Sequence, residues 1–152
     1  RAELSNRSNA NLFVSIHANV NDKTSLEGVE VYYPDEQDRL SSQDELSPPM
    51  TRGEIVRSVR ESGELARTVH QHMLDGLQAK SNGVRNHWDS LRVLRLTRCP
   101  AILVETGYLT NPSEETRLAN PQYRVLAAKA IADGILAYWT KHSGHFSHIK
   151  KP

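Results

Sequence analysis

Short apolar runs along the chain predict four β-strands. They lie at Leu12–Ile16, Gly28–Tyr33, Leu91–Leu96 and Ala101–Val104. The second run is β-branched and alternates apolar with polar positions, as expected for a strand with one buried face. The fourth is wholly apolar, which is typical of a strand buried on both faces.

Longer segments with helical spacing predict the helices. Residues 1–11 resemble the last turns of a helix followed by a connector. Apolar residues three, four or seven apart predict a helix over residues 55–77. The Asn-Pro pairs at 111–112 and 120–121 each offer an N-cap followed by proline at the first helical position. Glu114, three residues after the first cap, fits a variant of the capping box.

Strands that alternate with helices predict an α/β fold, with a mostly parallel sheet flanked by helices. The predicted domain covers residues 1–140. Within it, residues 34–53 are polar and proline-rich, which predicts a loop or a mobile insertion. Residues 141–152 are basic and contain histidines, so they are expected to form a flexible tail.

Composition narrows the class of protein. The chain has 152 residues, enough for one domain with its own core, and a formal net charge of +1. That charge gives no reason to expect a nucleic-acid partner. No apolar run approaches the length needed to span a membrane. The single cysteine excludes a disulfide within the chain.

Two predicted strands end in side chains capable of chemistry. His17 follows one apolar strand, and Glu105 follows another. In open α/β sheets, ligands bind outside the carboxyl ends of the strands. One interpretation is that the two side chains act on a metal-bound water, with the carboxylate as general base. The other is that they form a hydrogen-bonded pair that only shapes a loop.

Four segments, taken together and in order, resemble a known family. They are "RAELSNRSNANLFVSIHANVND", "EGVEVYY", "LRVLRLTRCPAILVETGYLTNPSEE" and "LANPQYRVLAAKAIADGILAYW". They are similar to the type 3, zinc-dependent N-acetylmuramoyl-L-alanine amidases of the cell wall. "FVSIHAN" and "AILVETGYLTNPSEE" are the most specific of these pieces.

The resemblance implies a fold, an activity and two site residues. The fold would be of the zinc-exopeptidase or phosphorylase/hydrolase-like type. The activity would be hydrolysis of the amide between N-acetylmuramic acid and L-alanine in peptidoglycan, in cell-wall remodelling or daughter-cell separation. His17 matches a zinc ligand of the family, and Glu105 matches its catalytic carboxylate. The implied location is periplasmic or extracellular.

The chain also departs from the family pattern. The family's "GHGG"-type loop and the following helix with a glutamate, which supply the other zinc ligands, have no counterpart here. Arg1 aligns after both of them, so we expect the first strand and helix to be absent and the remaining zinc ligands to lie upstream of Arg1. Alternative functions are therefore kept: a catalytically inactive peptidoglycan-binding or regulatory domain, or a related zinc carboxypeptidase.

Two further residues and one segment are weaker candidates. Asn19 either orients the substrate or braces the loop after its strand. Arg95 either meets a carboxylate of the stem peptide or is a solvated surface charge. In several amidases of this class, a segment in the position of residues 34–53 blocks the site until a partner activates it. A protein activator is thus a candidate partner, with a plain surface loop as the alternative.

Overall fold

The computed structural model describes residues 1–46, 48–87 and 91–142. Its elements, in chain order, are α1 (Ala2–Arg7), β1 (Phe13–Asn19), β2 (Val29–Pro34), α2 (Glu36–Ser41), a 3₁₀ turn (Gln43–Glu45), α3 (Arg52–Leu77), β3 (Ser81–His87), α4 (Arg92–Arg95), β4 (Ala101–Tyr108), α5 (Pro112–Ala119) and α6 (Pro121–His142). The predicted tail falls mostly on residues 143–152, which lie outside the described residues.

The four strands in the described part of the chain form one sheet in the order β1-β4-β2-β3. β1 runs parallel to β4 and β2 runs parallel to β3, whereas β2 and β4 are antiparallel. The predicted α/β fold with a mostly parallel sheet is therefore confirmed, and one antiparallel pair lies at its centre.

The two long helices cover one face of the sheet. α3 and α6 pack against each other and against buried β-branched residues of the central strands, including Val29, Val31 and Val104. The helices approach closely at Gly134 of α6, where an added Cβ would lie 2.7 Å from the Cα of Val69. This packing holds the central strands rigidly, so they can carry a site at their ends.

The opposite face is covered by a much shorter helix. Leu94 of α4 packs on Ala101 and Leu103 of β4. The prediction of a strand at Leu91–Leu96 is therefore wrong. Four residues of helix bury Leu94 against the sheet, and this tertiary contact overrides the local β propensity.

Two other predictions need correction. Residues 81–87, for which the sequence analysis predicts no strand, form the edge strand β3, because parallel pairing with β2 satisfies their backbone. Residues 34–53 are not a single loop, since they contain α2 and the 3₁₀ turn. The guanidinium of Arg39, fully buried, donates to the carbonyl oxygens of Leu94 (3.0 Å) and Cys99 (3.4 Å) and so ties α2 to the rest of the domain.

The other end of the sheet is an open edge. Among the described strands, β1 pairs only with β4. Ile16 of β1 is 57% exposed, and Val20, which directly follows β1, is 63% exposed. On α6, Leu126 and Leu136 are also at least half exposed. No helix among the described residues is both long enough and apolar enough to cross a membrane.

Candidate active site

The two strand-end residues predicted from sequence are direct neighbours. β1 and β4 pair in parallel from Phe13 with Ala101 onward, and the register places His17 opposite Glu105. The carboxyl ends of parallel strands meet at the same edge of a sheet. The pairing therefore brings together an imidazole and a carboxylate that lie 88 positions apart in sequence (105 − 17).

Both side chains belong to the face of the sheet that α4 partly covers. Side chains two residues apart in a strand share a face. Glu105 shares its face with Leu103, which contacts α4, while Val104 points to α3 and α6. His17 shares its face with Ser15, and the Ser15 hydroxyl lies 2.8 Å from His17 Nε2. The site thus lies on the more open side of the sheet, just beyond α4.

Glu105 is a buried carboxylate with an unsatisfied oxygen. Its residue is 9% exposed, and among the described residues no group hydrogen-bonds to Oε2. Burial, and secondarily the nearby carboxylate of Glu30, raise the pKa of Glu105 from 4.5 to about 7. A carboxyl group that titrates near neutral pH can accept a proton and return it within one reaction cycle. The arrangement favours a general base over a purely structural pair.

Glu30 is the third member of the site, and the sequence analysis missed it. It lies on β2, directly opposite Glu105 in the antiparallel pair, and is 3% exposed. Arg85 Nε donates to its Oε1 at 2.7 Å, and the Tyr108 hydroxyl donates to its Oε2 at 3.1 Å. The alternation Val29–Glu30–Val31 was a usable signal, because a carboxylate between two core-facing valines must point to the other face.

The turn after β4 keeps Glu105 in place. Gly107 has a φ of +147°, and an added Cβ there would lie 3.2 Å from a carboxylate oxygen of Glu114. That buried carboxylate accepts from the backbone N–H of Tyr108 at 2.7 Å and of Gly28 at 2.9 Å. The predicted capping box is therefore wrong for Glu114. Its side chain joins the end of β4 to the start of β2, while Asn111 alone caps α5.

Asn19 and Arg95 lie in different surroundings. The Asn19 side chain accepts from the backbone N–H of Val20 at 2.8 Å, at the irregular end of the β1–β4 pairing. Arg95 lies on α4, where it bonds to Glu45 at 3.2 Å and to the Ser42 hydroxyl at 3.1 Å. Within the described part of the chain, these contacts of Arg95 do not include Glu105 or His17. Substrate binding by either residue stays a prediction.

The residues described here do not form a complete zinc site. A catalytic zinc ion is held by three protein ligands and keeps one open position. Across residues 1–46, 48–87 and 91–142, no three His, Cys, Asp or Glu side chains are grouped so as to hold a metal ion. His17 and Glu105 have the right donor atoms, but two side chains are too few to hold a catalytic zinc ion.

Fold and site together define an α/β protein with an imidazole and a buried carboxylate side by side on neighbouring strands. Comparison with known proteins gives its family. The family described as N-acetylmuramoyl-L-alanine amidase matches residues 1–137. The chain therefore belongs to the N-acetylmuramoyl-L-alanine amidase family.

Individual relatives agree with this assignment. The amidase LytC of Bacillus subtilis is 30% identical over 130 residues, which are 86% of this chain and 22% of LytC. The crystal structure of an N-acetylmuramoyl-L-alanine amidase from Clostridium difficile is 30% identical, with a TM-score of 0.73, and the match covers 91% of this chain and 63% of that one. The CwlD amidase from Clostridioides difficile, solved in complex with the GerS lipoprotein, is 25% identical with a TM-score of 0.73, over 91% of this chain and 59% of CwlD. This chain thus spans less than two thirds of each of these relatives.

Proposed function

We propose that this chain acts in the hydrolysis of the amide bond between N-acetylmuramic acid and L-alanine in peptidoglycan. The observation that supports the proposal is the position of Glu105. It is a buried carboxylate, directly beside His17, and one of its oxygens accepts no hydrogen bond from the described residues. Membership of the amidase family supports the same reaction. The products would be a free lactyl carboxylate on the sugar and a peptide with a free L-alanine amine.

Glu105 is the general acid–base in this proposal. Its ionised form accepts a proton from the attacking water, so that the oxygen can add to the amide carbonyl. The protonated carboxyl then donates that proton to the departing nitrogen of L-alanine. A pKa of about 7 suits both steps, because neither protonation state is costly to reach at neutral pH.

Zinc dependence is part of the proposal and rests on the family. His17 would supply one ligand through its imidazole. The remaining ligands would come from polypeptide preceding residue 1, as the resemblance implies.

The proposed setting is the cell envelope, outside the cytoplasm, in cell-wall remodelling or daughter-cell separation. LytC and the germination-specific amidase of Bacillus subtilis are named as amidases of the same kind. A protein activator is also proposed, supported by the complex of CwlD with the GerS lipoprotein. Peptidoglycan is the proposed substrate and binding partner.

The test is the release of L-alanine amines from purified peptidoglycan by the full-length protein, which would contain the remaining zinc ligands. New N-termini are labelled in the presence of zinc. Glu105→Gln keeps the shape of the side chain and removes the base. We expect its rate to fall by about 10²–10⁴-fold, the usual contribution of general acid–base catalysis. Glu115→Gln, an exposed carboxylate on α5, is the matched control and should keep the wild-type rate.

Three results would contradict the proposal. Full activity of Glu105→Gln would place the base elsewhere. Binding of peptidoglycan without any new amine would favour the regulatory or binding domain. Release of C-terminal amino acids in place of L-alanine amines would favour the carboxypeptidase.

A further inference from the structure

A charged network lies next to Glu105, and its exposed member, Arg85, is assigned no step in the acid–base chemistry. Glu30, buried at 3% exposure, binds Arg85 through one carboxylate oxygen and the Tyr108 hydroxyl through the other. Asn82 Nδ2 donates to the same hydroxyl at 3.1 Å. Arg85 Nη2 in turn donates to the Asn82 carbonyl oxygen at 3.0 Å. The four residues form a closed ring of hydrogen bonds, in which Asn82 takes part through both its side chain and its backbone carbonyl.

Within this ring, Arg85 is held in place but open to solvent. Its guanidinium has two fixed contacts, at Nε and Nη2, yet its side chain is 60% exposed. Two anchoring bonds remove most of the rotamer freedom that a long cationic side chain loses when it binds a ligand. The buried carboxylate of Glu30 fixes the orientation of Arg85, and the exposed part of the guanidinium is free to bind an anion.

The ring of hydrogen-bonded residues lies directly beside the candidate active site. Glu30 lies directly opposite Glu105 across the β2–β4 pairing, and directly opposite side chains in a sheet are neighbours. Arg85, bonded to Glu30, is thus one side chain removed from the candidate base. A substrate whose scissile amide lies at Glu105 would extend its neighbouring groups within reach of this guanidinium.

We propose that Arg85 is a specificity-determining residue that binds a carboxylate on the peptide side of the scissile amide, and that Glu30 is the positioning residue that orients it. This inference rests on the proposed function, since it assumes that the peptide stem lies on the β2–β3 side of Glu105. A planar guanidinium pairs with a carboxylate through two parallel N–H donors. A carboxamide at the same place offers one oxygen and no charge, so it should bind more weakly.

The test compares two soluble ligands that differ in one group. They are N-acetylmuramoyl-L-alanyl-D-glutamic acid and N-acetylmuramoyl-L-alanyl-D-isoglutamine, each with its γ-carboxyl group blocked as the methylamide, so that only the α-carboxylate or α-carboxamide differs. Each is titrated into the purified protein and followed by NMR. We expect the wild type to bind the acid about tenfold more tightly than the amide, the effect of one charge-assisted contact. In Arg85→Gln this ratio should fall to about one, while Arg85→Lys should keep part of it.

Two further variants test whether the orientation of Arg85 matters as well as its charge, and whether the loss of any exposed arginine has the same effect. Glu30→Gln keeps a hydrogen-bond acceptor but holds the guanidinium less firmly, so we expect an intermediate ratio. Arg92 is an equally exposed arginine, paired with Glu45 at 2.7 Å, and Arg92→Gln should keep the wild-type ratio. Urea unfolding of each variant reports whether the fold is intact.

The proposal is overturned if the wild type binds both ligands equally, if it binds neither, or if Arg85→Gln keeps the preference for the acid. Binding needs no turnover, so these outcomes are independent of the amidase assay. Acid-selective binding without hydrolysis would retain this inference and reject the proposed function. Hydrolysis without a preference for the acid would support the proposed function and reject this inference.

Discussion

The raised pKa of Glu105 makes a prediction about stability as well as about chemistry. The unfolded chain releases this proton near the ordinary value of 4.5, whereas the folded chain holds it up to about 7. Between these values the native state binds more protons than the unfolded state, so the free energy of unfolding falls as pH rises. The stabilising effect is complete below about pH 4.5 and is lost above about pH 7.

The size of the effect follows from the two pKa values. A difference of about 2.5 between 4.5 and 7, at 1.36 kcal/mol for each pKa unit, corresponds to about 3 kcal/mol. This is a large part of the stability of a small domain, which is typically 5–15 kcal/mol. Glu105→Gln has no proton to release at this position, so its free energy of unfolding should lack this pH-dependent contribution.

Urea unfolding at a series of pH values, with a chelator present to exclude metal ions, measures the effect directly. We expect the stability of the wild type relative to Glu105→Gln to fall by about 3 kcal/mol between about pH 4 and about pH 8. Glu115→Gln, which removes an exposed carboxylate of α5, controls for the loss of one negative charge. A constant difference between wild type and Glu105→Gln across this range would refute the reasoning, because Glu105 would then titrate alike in both states.

Two predictions concern the scaffold, and denaturant unfolding checks both. Gly134→Ala should destabilise the domain by about 1–3 kcal/mol, since its Cβ would lie 2.7 Å from the Cα of Val69. Gly53→Ala, with nothing within 4 Å of its Cβ, should leave stability unchanged or raise it, and an equal loss in both variants would contradict the packing argument. Glu114→Ala should cost about 2–5 kcal/mol, because two buried backbone N–H groups lose their acceptor. Glu115→Ala should change little, and a similarly small loss for Glu114→Ala would show that water replaces the carboxylate.

Local sequence determined most of the individual elements. The apolar run before Glu105 predicted a buried strand, and the Asn-Pro pairs set the starts of α5 and α6 through their caps. The order of parallel strands placed His17 and Glu105 at the same edge of the sheet, and the pairing of β1 with β4 made them direct neighbours. These features depend on neighbours along the chain, which is why the sequence reports them.

Other features depended on contacts that no local pattern reveals. Residues 92–95 are helical because Leu94 packs on β4, and β3 exists because β2 offers a free edge. Glu114 has the spacing of a capping box, but its carboxylate instead accepts from the backbone N–H groups of Gly28, just before β2, and Tyr108, at the end of β4. In each case a long-range partner outweighs a local preference of about 1 kcal/mol or less.

The site divides in the same way. The sequence by itself determined that a carboxylate and an imidazole would lie together at the sheet edge. Only the tertiary structure decided the raised pKa of that carboxylate, because it buries Glu105 and sets Glu30 opposite it across the antiparallel β2–β4 pair. It also decided that Arg85, on an edge strand the sequence did not predict, would be bonded to Glu30. Electrostatic coupling depends on separation and burial in space, and neither quantity is encoded in spacing along the chain.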